Sequence, residues 1–463
     1  MRINVIKLKT SRMIIGGNFM DNSTIRKELI RLTWPLFIQT ILFMVLGMVD
    51  TLMLSRYSDN AVAAVSVSNQ VLNFVQILFA VISVGTSILC AQYKGAQDEK
   101  NVGIVASVSL LFNAVMGIIF SVVLVVCSRS IFKLMNVPQE IMEYAVQYLV
   151  IVGAGSVFQA LLNTTGAIVT STGHTKVAMN ISVTVNVINI VGNYILIFGA
   201  FGFPAMGVRG AAISTTLSKA IMSVFAIILL VVKINKNISI KALVPFPFEI
   251  LKKILKIGIP SAGENLAYNI SQLVITSIIS TMGSLMLTAR AYIGNITMFT
   301  IAFSSAIGQG TSILVGNKIG AKQKDDAYKA CMYSLKVGIV TSLIVSSICA
   351  VFSGYLVGIF TTNKEILSVA AIVLACDIIL EIGRVFNVII IDSLKAAGDV
   401  KFPVFWGVIS MWGISVVLSY VLGLKMNLAL LGVWIACAAD EWFRGILMLV
   451  RWKKGKWRKM KLI

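Results

Sequence analysis

Apolar runs of membrane-spanning length recur along almost the whole chain, and they constrain the fold more than any other feature. Twelve can be marked, near 32–55, 64–90, 102–126, 142–168, 178–199, 208–232, 254–280, 291–316, 330–352, 366–391, 402–424 and 429–450. Each is close to the ~20 residues a helix needs to cross a hydrocarbon core. Inside lipid every backbone polar group must be satisfied within its own segment, so such runs become helices. Across 463 residues, 57% are hydrophobic and 13% charged, about half the charge of an ordinary soluble domain. The expected class is an all-α integral membrane protein with twelve transmembrane helices and no room for a soluble domain. Its first partner is the lipid bilayer.

A net charge of +21 raises the question of nucleic acid, and its placement answers it. Of the 40 Lys and Arg residues, 29 fall in segments 1–31, 94–100, 176, 233–256, 318–329, 395–401 and 451–461. The alternate connections hold Arg56, Arg129, Lys133, Arg209, Arg290, Lys364 and Lys425. By the positive-inside rule this places both termini and the 233–253 linker in the cytoplasm, in a multi-pass protein of the cell membrane. No stacking aromatics line a basic groove, so nucleic acid is excluded as a partner. The segment 1–31 reads as a cytoplasmic extension without the apolar length of a signal peptide, and Met20 offers a second translation start. Six cysteines, none in a CxxC spacing, give neither a disulfide framework nor a zinc site.

The chain also repeats itself. "ISVGTSILCAQYKGA" (82–96) and "IGQGTSILVGNKIGA" (307–321) share eight of fifteen residues without a gap, where chance gives about one. The offset of 225 also pairs Pro35 with Pro260, Gly173 with Gly398, Lys176 with Lys401, and Gly207-Val208 with Gly432-Val433. The twelve spans therefore divide into an N-lobe at 32–232 and a C-lobe at 254–450, with a basic tail at 451–463. Six spans per copy give both copies one orientation, a parallel repeat about an axis along the membrane normal. Two fused lobes of this kind suit a transporter that rocks about a central cavity.

Polar residues within the spans carry the chemistry. A charge at the bilayer centre costs at least ~2.5–3.5 kcal/mol, so one that persists needs a partner or a task. Asp50, in "GMVDTLMLSR", has only Leu46, Gly47, Met53 and Leu54 one turn away. It must meet another helix, hold a cation or bind a proton. The fifth span carries Asn189 and Asn193 on one helix face. Beside a carboxylate their oxygens suit a hard cation such as Na+; as an equal alternative they are inter-helix packing groups. In the second half, Glu264 and Tyr268 share a face, and Asp377, Glu381 and Arg384 follow i, i+4, i+7. They read either as an acidic cavity that draws in organic cations or as an internal Glu381–Arg384 ion pair with packing partners. Asp440 and Arg444, at i, i+4, read as a structural pair.

No GxxxxGK[ST] loop is present and the chain has a single histidine, His174. ATP hydrolysis by a P-loop, zinc hydrolysis and His-dependent triads are thereby set aside. The expected protein is not an enzyme, takes no cofactor, and draws its energy from Na+ or H+ as a coupling ion.

"WP" at 34–35 followed by "VDTLMLSR", the "GTSILCAQYKGA" and "GTSILVGNKIGA" pair, "NYILIFG", "MGVRGAAIST" and "SLKAAGDVKFP" together resemble the multidrug and toxic compound extrusion (MATE) transporters, from Ile25 to Arg451. The resemblance implies two six-helix lobes around a V-shaped cavity, and export of organic cations or other amphipathic compounds by a monomer in exchange for Na+ or H+. It implies an N-lobe cation site at Asp50, Asn189, Asn193 and Thr215. Some members have an aspartate where Asn193 stands, which leaves Asp50 as the one carboxylate of the four. Another branch has a glutamate where Tyr268 falls and an aspartate where Arg384 falls; Glu264, Glu381 and Asp377 lie one or two turns before those positions. A flippase or exporter of a lipid-linked or polar metabolite is the alternative within transport, and a membrane-embedded enzyme the alternative outside it.

Overall fold

The structure is a computed structural model that describes residues 22–463. Residues 1–21 of the predicted N-terminal segment, and with them the alternative start at Met20, lie outside the described residues. Twelve helical passes follow one another: α1 Asn22–Ser55, α2 Asp59–Gly95, α3 Glu99–Leu134 and α4, a pair Gln139–Ala154 and Ser156–Ser171. The first half ends with α5 Thr175–Phe198 and α6 Val208–Leu229, the latter prolonged by a π-helical turn to Ile234. The second half holds α7 Phe248–Ser280, α8 Ser284–Gly320, α9 Lys324–Val351 with a short continuation Ser353–Gly358, and α10 Lys364–Ala396. It closes with α11, from Lys401–Ser410 through π-helical turns to Lys425, and α12 Ala429–Lys453.

The repeat predicted from the sequence recurs in the backbone. Asp59 and Ser284 open α2 and α8, Gly95 and Gly320 close them, and each pair is 225 residues apart. Even the strained turns match: Gln97 and Lys322 take φ of 59° and 62°, Gly173 and Gly398 of 89° and 92°. The two glycines occupy the left-handed region that a side chain disfavours, which explains why both copies keep them.

Among the described residues, nine helices are singly long and apolar enough to cross a membrane, and the α4 pair, bent by 51°, makes a tenth. The remaining two, α7 and α12, are interrupted by buried polar groups, Glu264 in one and Asp440, Glu441 and Arg444 in the other. Helices outrun the predicted spans because hydropathy marks only the lipid-facing part. At 36 residues, α3 is ~54 Å long, against a core of ~30 Å. Asp98 starts it beyond the apolar run by accepting the backbone N–H of Asn101 at 3.0 Å. That bond and a second from the Asn101 side chain hold the Asp98 carboxyl below its ordinary range. Arg129, Lys133 and Arg290, predicted in connections, therefore lie within α3 and α8. The predicted 233–253 linker is likewise shorter: α7 begins at Phe248, and Asn235 Nδ2 donates to the Glu99 carbonyl at 2.9 Å.

Between the halves, α1 packs on α8, and α2 packs on α7 and α8. A two-fold relation exchanges the α1–α8 contact with the α7–α2 contact. A Cβ on Gly95 would fall 1.9 Å from the Asn317 carbonyl oxygen, and one on Gly320 would fall 1.8 Å from that of Gln92. Residue i meets j while its repeat partner meets the partner of j, as in an isologous interface. These contacts gather near the end that bears Asn22 and the C-terminal segment, with Gln92 Nε2 donating to the Ala396 carbonyl at 2.7 Å and Lys318 facing Glu28 at 3.8 Å. The tail closes the same end. Trp452 and Trp457 are buried and stacked at 4.2 Å, Arg451 Nε donates to Asp399 Oδ2 at 2.7 Å, and Arg458 meets Asp325 at 2.7 Å. Residues 451–463 thus fold back on the protein because acids on α9 and before α11 meet their charges.

Candidate functional site

Three helices of the first half bring Asp50, Asn189, Asn193 and Thr215 together. Asp50 lies five residues before the end of α1 at Ser55. Asn193 Nδ2 donates to Asp50 Oδ1 at 2.7 Å and to Asn189 Oδ1 at 3.2 Å. Asn189 Nδ2 donates in turn to Thr215 Oγ1 at 3.1 Å, and Ser214 Oγ on α6 donates to the Asn189 carbonyl at 2.9 Å. A continuous chain therefore runs from the carboxylate of α1 through α5 to α6. Both asparagines are buried, at 3% and 1% exposure, while Asp50 and Thr215 are half-buried.

The oxygens of this chain fit a hard cation. Asp50 supplies charge, Asn189 and Thr215 supply neutral oxygens, and the buried Asn193 Oδ1 has no hydrogen-bond partner. A buried acceptor left without a partner is rare and calls for a reason. No group of three His, Cys, Asp or Glu capable of holding a metal occurs among the described residues, so a cation here would rest on one carboxylate and neutral oxygens.

Two residues that the sequence reading did not assign complete the surroundings. Tyr148 of α4 and Lys219 of α6 line a pocket of about 60 Å3 together with Asn69, Gln76, Gln159 and Thr216. The space suits a few waters and is far below the ~300 Å3 of a drug-sized site. Lys219 and Asp50 are each other's charged neighbour. The available signal was a lysine inside an apolar span, one turn after Thr215.

The second-half residues are arranged differently. Tyr268, Asp377 and Arg384 line a pocket of about 160 Å3 with Arg290, Trp434, Asp440 and Glu441. Its acids are engaged. Arg384 Nε stands 2.9 Å from Glu381 Oε1, at ion-pair distance without hydrogen-bond alignment, and Glu381 is fully buried. Asp377 Oδ1 accepts from Trp434 Nε1 at 2.9 Å. Arg444 Nε and Nη2 donate to Asp440 at 3.2 and 2.7 Å, and Asn387 Nδ2 donates to Glu441 at 2.7 Å. The internal Glu381–Arg384 pair that the spacing allowed is formed. Glu264 does not join this pocket. It is paired with Lys395 of α10 at 2.6 Å, with Asp392 nearby, although it shares a helix face with Tyr268.

Comparison with known proteins bears on the same regions. The MatE family model matches residues 35–195 and 260–421, once in each half. The uncharacterized transporter YisQ of Bacillus subtilis is 45% identical over 430 residues, 93% of this chain and 94% of that protein. The probable multidrug resistance protein NorM of Thermotoga maritima is 30% identical over 441 residues, 94% of each. Among solved structures, an outward-facing multidrug resistance MATE family transporter of the MOP superfamily aligns with a TM-score of 0.86 at 24% identity, over 94% of this chain and 97% of that one.

Proposed function

Since the chain belongs to the MATE family of membrane transporters and is no enzyme, we propose that it is a secondary antiporter, exporting organic cations or other amphipathic compounds in exchange for Na+ or H+. The observation that carries this reading is the hydrogen-bonded chain Asp50–Asn193–Asn189–Thr215, built around one carboxylate at membrane depth. Coupled exchange requires that ion and substrate disfavour each other's binding, and one carboxylate that both cations need supplies that competition. The acids of the C-lobe are already engaged with arginines, Lys395 or Trp434, which leaves ion exchange to the N-lobe.

The basic bias of alternate connections supports a cell-membrane protein with cytoplasmic termini. In that orientation the packed end of the lobe interface is cytoplasmic and Asp50 lies towards the outside. The moving bodies are the N-lobe at 32–232 and the C-lobe at 254–450, joined by the connection between Ile234 and Phe248, and the unit is the monomer. The parallel repeat supports rocking of one lobe against the other.

Expression in cells that lack their own exporters tests the reading. The wild type is expected to lower accumulation of a cationic dye, and Asp50→Asn, present in equal amount in the membrane, is expected to leave accumulation at the empty-vector level. Equal efflux by this variant would rule out the Asp50 site as the seat of coupling.

A further inference from the structure

Lys219 lies one turn beyond Thr215 on α6, so the two side chains share a face. Because Cα–Cβ bonds tilt towards the helix N-terminus, the Lys219 side chain is led back to the level of Thr215 and Asp50. Around it, α1 contributes Asp50 and α4 contributes the Tyr148 phenol, while α2 offers the neutral Asn69 and Gln76 and α5 the neutral Asn189 and Asn193. No second acid faces it from these helices.

The other half of the molecule supplies the comparison. At the offset of 225, Thr215 and Lys219 correspond to Asp440 and Arg444. Arg444 has its acids on its own helix, 2.7 Å from Asp440 Oδ2 and 3.3 Å from Glu441 Oε2. In the first half the acid is replaced by a threonine and the arginine by a lysine, so the base must take its counter-charge from α1. The change of base matters chemically. Arginine keeps its proton in any protein setting, whereas a lysine removed from water and from its counter-charge gives its proton up.

We propose that Lys219 is a tethered counter-cation of Asp50 and the carrier of the exchanged proton, which makes the N-lobe site H+-coupled and indifferent to Na+. This rests on the antiport reading above and names its ion. Without substrate, the Lys219 ammonium balances the charge of Asp50 from the pocket it shares with Tyr148 and Gln159, beyond ion-pair distance. An organic cation that reaches Asp50 takes over as its counter-charge and leaves the ammonium in that neutral pocket without one. There an N–H bond at Nζ breaks, the electron pair stays on nitrogen, and the proton passes to water. One positive charge arrives as one leaves, so the site's charge is unchanged while substrate and proton exclude each other. After release outward, Lys219 takes a proton from the outer water and again balances the charge of Asp50. Free Na+ must compete with an ammonium held on the same protein, whose binding is intramolecular.

Two measurements on the purified full chain test this. In thermal unfolding with NaCl against KCl at equal ionic strength, the wild type is expected to show the same midpoint in both. Lys219→Met is expected to gain a Na+-dependent rise, which the added Asp50→Asn removes; Lys219→Gln takes its place where the methionine variant does not fold. In weakly buffered solution with a pH dye, tetraphenylphosphonium binding is expected to release about one proton per cation from the wild type, as a shared site requires, and none from Lys219→Arg. A wild type stabilised by Na+ as strongly as Lys219→Met, or a Lys219→Arg protein that releases the wild-type proton, overturns the proposal. A wild type that binds no tetraphenylphosphonium counts against the substrate class instead, and the Na+ comparison still decides the role of Lys219.

Discussion

Asp50 and Arg444 are both charges buried among helices, and they differ in where their partners come from. Arg444 is satisfied within one turn of α12, as its spacing to Asp440 foretold. Asp50 takes its partner, Asn193, from another helix, and its nearest cation, Lys219, is remote in sequence. Helical period places Lys219 on one face with Thr215, as it does Asn189 with Asn193, but it cannot show that this face meets Asp50 of α1. The same limit misplaced Glu264: its shared face with Tyr268 is real, but α7 turns that carboxylate to Lys395. Thr215→Asp tests the residue-scale account. It supplies Lys219 with an acid on its own helix, as Asp440 does for Arg444, and weakens the competition at Asp50. Cation-driven efflux is expected to fall about tenfold, the effect of roughly 1.4 kcal/mol, with the protein still folded. Unaltered efflux would show that Lys219 and Asp50 are not functionally linked.

At the scale of elements, the repeat was the most legible feature, since both copies keep the residues that their shared contacts require. Gly95 and Gly320 stand where each α-helix meets a carbonyl of the other lobe, which accounts for the paired "KGA" and "IGA" endings. Span limits were less legible. Hydropathy stops at the lipid boundary while the helix continues to its cap, and the break of α4 at Gly155 left no apolar gap to mark it. Gly95→Val is expected to destabilise the protein by about 1–3 kcal/mol, as overpacking does, and to lower its thermal midpoint. Gly166→Ala, with nothing within 4 Å of the added Cβ, is the control and is expected to match the wild type. Equal shifts in both variants would remove the special role given to the Gly95 contact.

For the whole molecule, two copies of one six-helix plan have diverged in their interiors. The C-lobe closes its charges into pairs around Arg384 and Arg444, and the N-lobe keeps a single carboxylate at the end of a hydrogen-bonded chain. Fold class and lobes were written in apolar period and repeat, because those follow from lipid and symmetry alone. The distribution of charge pairs was not, because it depends on which helices face each other. On the antiport reading proposed above, the asymmetry gives rocking to both halves and ion exchange to one. Transport by the purified protein in liposomes, with a pH gradient or a Na+ gradient imposed one at a time, tests this directly. The account expects the pH gradient alone to drive uptake or release of an organic cation by the wild type, and neither gradient to do so with Asp50→Asn. Transport by Asp50→Asn at the wild-type rate under either gradient would contradict it.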